Sequence, residues 1–256
     1  NEPGRIIWSY YPKQDPDDGS NIQLTIDLEY QSILQEELQR RIDESGAKGA
    51  MGILMDPQNG DILAMASLPD FDLNNPNITP LENQKNKVIT DQFEPGSTFK
   101  IVAATAALNT GKVSLDDEFN CEVGKFEFDG WTISDHEKFG VLTFPQIIAN
   151  SSNVGVIKIA QIIGKEPLYR LSRNYGFGTP TGISFPGESQ GILRQKKDWS
   201  KMSLASVSIG YEVGVTALQI ASAYSAIANG GVLLKPQIVM QIISNKGELL
   251  FKSKPE

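Results

Sequence analysis

The chain has 256 residues, 40% of them hydrophobic and 21% charged, a balance ordinary for a soluble globular protein and sufficient for one large domain or two small ones. Its net charge of −8 leaves no basic excess to neutralise phosphates and excludes a general nucleic-acid binder. Cys121 and His136 are the only residues of their kinds, which excludes an intrachain disulfide, a Cys-based zinc site, a His-rich metal site and any catalytic apparatus with two imidazoles; no metal or cofactor is expected. No apolar run approaches the ~18–20 residues that span a membrane. A chain that starts at Asn1 with no signal peptide reads as an internal fragment whose anchor lies upstream.

In chain order, residues 1–20 read as an irregular lead-in. Ile22, Leu24 and Ile26 alternate with polar residues and predict a short strand. Asp27 can cap a helix over about 28–44, where Leu34, Leu38 and Ile42 repeat every four residues, and Gly46 stops it. The apolar runs 50–55 and 61–66 flank Asp56-Pro57-Gln58-Asn59-Gly60 and predict a β-hairpin covered on both faces, because neither run alternates cleanly. Residues 69–87, with three prolines, read as a surface excursion. A helix is predicted over 97–109. Its interior is apolar all round, the mark of a buried helix. Residues 119–135 suggest a hairpin of short strands. Pro145 opens a helix to about Asn150, a second apolar helix runs from Val154 to Ile163, and 165–175 suggests a third. Residues 176–191 form a Gly/Pro-rich loop. Thr216 can cap a helix at 217–228, and 232–243 with 248–251 flank a turn at Asn245-Lys246-Gly247.

Ser97-Thr98-Phe99-Lys100 is a Ser-x-x-Lys. Positions i and i+3 of a helix share a face, so Lys100 can reach the Ser97 hydroxyl. A serine needs a base before it is a useful nucleophile, and a lysine can be that base only when burial or a nearby cation keeps it neutral. A buried helix offers such surroundings. The pattern alone does not distinguish this from a capping serine beside a snorkelling lysine, and Ser45-Gly46-Ala47-Lys48 repeats it where the first helix ends. Ser151-Ser152-Asn153, at the junction of two apolar helices, can set a hydroxyl and an amide into a cleft to relay protons and bind a carbonyl. Taken alone, it is equally a capped helix break, and Ser172-Arg173-Asn174 matches it. His136 in its polar loop, buried or incidental Cys121, and Asp56 with Asp61 at a turn read as structural residues.

The order of these motifs resembles a known family. Phe93-Glu94-Pro95-Gly96-Ser97-Thr98-Phe99-Lys100 is similar to the active-site segment of penicillin-binding proteins, and Ser151-Ser152-Asn153-Val154-Gly155 to their second motif. Further similarity runs through Leu24–Asp27, Asp56-Pro57 to Gly60 with Ile62–Ser67, Ser208-Ile209-Gly210-Tyr211 to Val215-Thr216, and Ala228-Asn229-Gly230-Gly231. It spans roughly residues 20–240 and points to the class B, monofunctional peptidoglycan D,D-transpeptidases of cell division or elongation. The resemblance implies that Ser97 attacks the D-Ala-D-Ala carbonyl of a stem peptide, with Lys100 as its base. It implies that Ser151 shuttles a proton to the leaving group and that Asn153 holds the peptide amide. β-Lactams would acylate the same serine. The implied partners are peptidoglycan stem peptides, β-lactams, a membrane glycosyltransferase and division or elongation proteins. The implied location is the bacterial cytoplasmic membrane, catalytic domain outward.

The resemblance also carries a departure. The family's third motif, Lys-Thr/Ser-Gly, does not occur in this sequence. The strand that bears it helps bind the substrate carboxylate and supplies part of the oxyanion hole. The expected fold is therefore α/β, of the serine transpeptidase/β-lactamase-like type: an antiparallel sheet packed between helix clusters, incomplete at its C-terminal end. Residues 1–48 are expected to finish an upstream pedestal and enter the domain. Residues 49–256 are expected to form a transpeptidase domain truncated before the third-motif strand, poorly stable and nearly inactive as it stands. Glu212 is a lesser departure, since a small residue is common there in relatives. Two alternatives stay open: a serine β-lactamase on the same fold, and a non-catalytic β-lactam sensor or division scaffold.

Overall fold

The structure, a computed structural model, describes residues 18–256; the expected lead-in lies, up to residue 17, outside the described residues. The chain divides into two units. Of the described residues, the first comprises 18–24 together with Val239–Ser253. In it β1 (Asn21–Leu24), β10 (Val239–Ile243) and β11 (Leu249–Lys252) form an antiparallel sheet in the order β1-β10-β11. Two strands were expected around the turn at Asn245. The first of them is shorter than the apolar run 232–243, because Pro236 lacks the N–H a ladder needs.

The second unit holds the rest. Helix α1 (Leu28–Ser45) begins where expected: Asp27 Oδ1 accepts from the N–H groups of Glu29 at 2.9 Å and Tyr30 at 3.3 Å, and the helix stops at Gly46. Strands β2 (Ala50–Met55) and β3 (Ile62–Leu68) form the antiparallel hairpin. A Cβ placed on Gly52 would lie 2.7 Å from Leu34 Cδ1, so that face of the hairpin meets α1. Met65, paired with Ile53, points to the opposite face. There Asn86, at the head of the short helix α2 (Lys87–Thr90), donates to its sulfur at 3.6 Å. Val88 and Ile89 of α2 and Leu218 of α8 (Ala217–Ala228) join Ile62, Ile53 and Met65 in one apolar cluster. Both faces of the hairpin are thus covered by helices.

A larger core is mainly helical. Helix α3 (Lys100–Thr110) packs against α5 (Asn153–Ile163) and α6 (Lys165–Asn174), and α5 packs against α7 (Lys201–Ser208). Val102, Ala103, Ala106 and Ala107 of α3 are all buried, as the lack of a polar face on this helix requires. Ahead of α5 runs a small β region. Strands β4 (Glu118–Asn120) and β7 (Val141–Thr143) pair, and between them β5 (Lys125–Phe128) and β6 (Trp131–Ser134) form a hairpin. The Asp129-Gly130 turn has φ of 50° and 84°, the positive pair that joins tight hairpins. Helix α4 (Phe144–Ala149) follows β7 and leads into α5. The two-residue strands β8 (Ile192–Leu193) and β9 (Val213–Gly214) pair with each other. The fold is α/β with helix clusters around antiparallel strands, as expected, although the strands form several short ladders.

Candidate active site

The proposed nucleophile sits on a turn braced from two sides. The helix expected from residue 97 begins as a single 3-10 turn, Gly96–Phe99, and becomes α-helical only at Lys100. In 3-10 geometry positions i and i+3 eclipse one another, which sets Ser97 and Lys100 on one side of the chain. Phe99 is fully buried against Phe177, ring centroids 4.9 Å apart, and anchors the turn. Before the turn, Phe93 and Val215 exchange backbone hydrogen bonds at 3.0 Å in both directions. Gly96 N–H donates to Gly210 O at 3.0 Å. Gly210 has φ 84°, and a Cβ there would stand only 2.0 Å from Gly96 O. Glycine is therefore a steric requirement where the Ser208–Tyr211 segment touches the turn. On the other side Tyr224 of α8 donates its hydroxyl to Thr98 O at 2.9 Å, and burial pushes that phenol's pKa up.

Lys100 is 3% exposed. Burial in apolar surroundings disfavours its charged form and lowers its pKa from 10.5 to about 8, against an opposing pull from the Asp135 carboxylate. Its Nζ donates to Ser151 O at 2.5 Å and to Ser151 Oγ at 2.9 Å. The structure thus brings Lys100 and Ser151 together across 51 positions of sequence. Ser97 is exposed, and its hydroxyl makes no hydrogen bond among the described residues. The expected pairing of the Ser97 hydroxyl with Lys100 is therefore not made here; the amine's protons are directed to Ser151.

Ser151 lies between α4 and α5 with φ 54°, a left-handed conformation uncommon for residues that carry a side chain. Ser152 is the cap of α5: its Oγ accepts from Gly155 N–H at 2.9 Å. The same hydroxyl donates to Asp135 Oδ2 at 2.7 Å. Asp135 Oδ1 accepts from Asn153 N–H at 2.5 Å and Val154 N–H at 3.0 Å. Asn153 Nδ2 donates to Ser134 O at 2.9 Å, which aims its amide along the β5–β6 hairpin.

The look-alike motifs do not converge on this place. Ser45 Oγ bonds Arg41 O at 2.7 Å as α1 ends. Ser172 Oγ, buried inside α6, bonds Leu168 O at 2.8 Å. His136 is exposed, its ring edge-on to Phe139. Cys121 is fully buried beside Ser152, and burial raises its thiol pKa. Among the described residues no cluster of His, Cys, Asp or Glu could hold a metal ion. Reasoning from the sequence misses Asp135, Gly210 and Tyr224. Gly210 lies in a segment that resembles the family, and that is the signal that could find it. Asp135 and Tyr224 carry no local signal of their partners.

Fold and site together are an α/β domain in which a Ser-x-x-Lys turn lies beside a Ser-x-Asn loop. Residues 50–256 match the penicillin binding protein transpeptidase domain, and the chain belongs to that family. It is 36% identical over 234 residues to the probable peptidoglycan D,D-transpeptidase PbpC of Pseudomonas aeruginosa, covering 91% of this chain and 41% of that protein. It is 35% identical over 254 residues to penicillin-binding protein PbpB of Mycolicibacterium smegmatis, covering 98% and 39%. Penicillin-binding protein 3 of Mycobacterium tuberculosis, in a crystal structure with aztreonam, superposes with a TM-score of 0.85 at 31% identity, covering 96% of this chain and 55% of that one. The chain spans about two fifths of the length of these curated relatives.

Proposed function

We propose that this domain is the acyl-transfer part of a peptidoglycan D,D-transpeptidase that penicillins acylate at the same serine. The observation that carries the reading is the buried Lys100 amine, with its pKa lowered to about 8, at hydrogen-bond distance from Ser151 and one 3-10 turn after Ser97. About a tenth of such an amine is neutral at pH 7, against ~0.03% for a free lysine.

In the first half-reaction neutral Lys100 Nζ takes the proton of Ser97 Oγ as that oxygen bonds the carbonyl carbon of the penultimate D-Ala. The Ser97 N–H lies in the first turn, where no helical carbonyl precedes it to accept, and is the donor this chain offers to the developing oxyanion. The proton passes from Lys100 through Ser151 Oγ to the departing amine nitrogen. The C–N bond breaks, D-Ala leaves, and the stem peptide remains as a Ser97 ester. In the second half-reaction the amine of a neighbouring stem attacks the ester carbon and returns a proton by the same path, and Ser97 Oγ leaves. Asn153, fixed to Ser134 through Nδ2, presents Oδ1 to a substrate amide.

The names of the relatives favour transfer over the hydrolysis of a serine β-lactamase. The proposal extends to a location on the outer side of the cytoplasmic membrane, with a membrane glycosyltransferase and division or elongation proteins as partners. It is tested with the full-length gene product, a donor peptide ending in D-Ala-D-Ala and an amine acceptor. Expected are release of D-Ala and a cross-linked product, both lost at least ~10³-fold in Ser97→Ala. Unchanged turnover in Ser97→Ala, or hydrolysis without transfer, contradicts it.

A further inference from the structure

We propose that Asp135 is a positioning residue of this site: its carboxylate staples the start of α5 to the β5–β6 hairpin and so holds Ser151 over the Lys100 amine. The inference rests on reading Ser97, Lys100 and Ser151 as an acyl-transfer site. Asp135 is itself held at the foot of the hairpin, where its N–H donates to Gly124 O at 2.9 Å. Its two carboxylate oxygens take the Ser152 hydroxyl and the N–H groups of Asn153 and Val154. The two N–H groups are donors of the first turn of α5, which a preceding helical carbonyl cannot satisfy. A negative charge there also meets the positive end of the helix.

Ser151 precedes this staple directly. Its left-handed backbone persists only where the flanking chain is over-determined. On the α4 side the N–H groups of Asn150, Ser151 and Ser152 are fixed to Gln146 O at 2.9 Å, Ile148 O at 3.1 Å and Ile147 O at 3.0 Å, and on the other side the Ser152 hydroxyl and Asn153 N–H are fixed to Asp135. Releasing the second side lets residue 151 relax to a commoner conformation and swings its hydroxyl from Lys100.

The carboxylate acts on the amine through its charge as well. It is the one group that opposes the effect of burial on Lys100. The other titratable groups near it are Cys121, which touches Ser152, and Lys158 of α5 with Glu122, an ion pair beside Cys121. His136 follows it in the chain and faces Phe139. Geometry and charge can therefore be separated by two substitutions. Asp135→Asn keeps an acceptor oxygen for Asn153 and Val154 but removes the charge. Asp135→Glu keeps the charge but moves the oxygens by one methylene.

The experiment measures the rate of acylation of the full-length gene product by a fluorescent penicillin from pH 6 to 10. Thermal unfolding of each variant and Ser97→Ala as the labelling control accompany it. Expected for Asp135→Asn is a midpoint of the pH profile below that of the unmodified protein and a roughly tenfold lower plateau rate, as the loss of a charge-assisted bond implies. Expected for Asp135→Glu is a comparable fall in rate with the midpoint unmoved. Unmodified rate and midpoint in Asp135→Asn overturn the proposal. If that variant does not fold, Asp135→Glu decides: a rate equal to the unmodified protein's overturns it. Failure of the unmodified protein to label at Ser97 is a different result, which defeats the acyl-transfer reading itself and this inference with it.

Discussion

Lys100 is where burial becomes chemistry. An amine that remained fully charged at neutral pH would be no base, and one in bulk water would be charged until about pH 10. The apolar surroundings of α3 bring it to about 8. The rate of acylation should accordingly rise with pH through a midpoint near 8, measured by penicillin labelling under limiting reagent. A flat profile between pH 6 and 10 would speak against Lys100 as the base. The same depression has a consequence for stability. Between pH 8 and 10.5 the unfolded chain holds a proton on Lys100 that the folded chain has lost, so stability rises with pH through that window. The rise is on the order of 3 kcal/mol, upper bound, for a shift of this size. Chemical denaturation at pH 8 and pH 10 should reveal it, and Lys100→Met, which cannot titrate, should remove that component of the pH dependence.

Elements differ in how much of their arrangement the local sequence encodes. Helix α1 is legible because its cap, its four-residue repeat and its glycine stop are all local. The β2–β3 hairpin is legible for the same reason: a turn sequence lies between two apolar runs. Helix α7 carries no such signal. Its Ser200 cap, which accepts from Ser203 N–H at 3.0 Å, leads into Lys201-Met202-Ser203-Leu204-Ala205-Ser206-Val207-Ser208, where serines interrupt the apolar residues and mark no clear face. Nor is the contact of the Ser208–Tyr211 segment with the nucleophile turn visible in the sequence, since it joins Gly96 to Gly210. Glu212, where a small residue is expected, has φ 57°, a conformation glycine takes without cost. Here its N–H bonds Glu94 Oε1 at 3.0 Å and its carboxylate pairs with Arg194. The contact at Gly210 gives a sharp prediction. In Gly210→Ala a methyl group must displace the backbone of residue 96, so thermal unfolding should drop by the equivalent of ~3 kcal/mol or more. Acylation should fall at least ~10²-fold, since small misplacements of a nucleophile are costly. Unmodified stability and labelling in that variant would contradict the close packing described.

At the scale of the molecule, the motifs that carry Ser97, Lys100, Ser151 and Asn153 are legible in the sequence itself, because resemblance links stretches that lie about fifty residues apart. Their contacts are only partly so. Lys100 was expected to meet Ser97, and it meets Ser151 instead. The link through Asp135 depends on how the β5–β6 hairpin folds back on α5, a long-range fact that no local pattern encodes. Of all the serines in the chain, Ser97 alone is proposed to become acylated. The most direct measurement is peptide mapping by mass spectrometry of the full-length gene product after brief exposure to penicillin. Cleavage after Lys87 and Lys100 isolates residues 88–100, in which Ser97 is the only serine. One penicilloyl adduct is expected, in that peptide and on Ser97, absent from Ser97→Ala. An adduct on Ser151 or any other residue, or none at all, would contradict it.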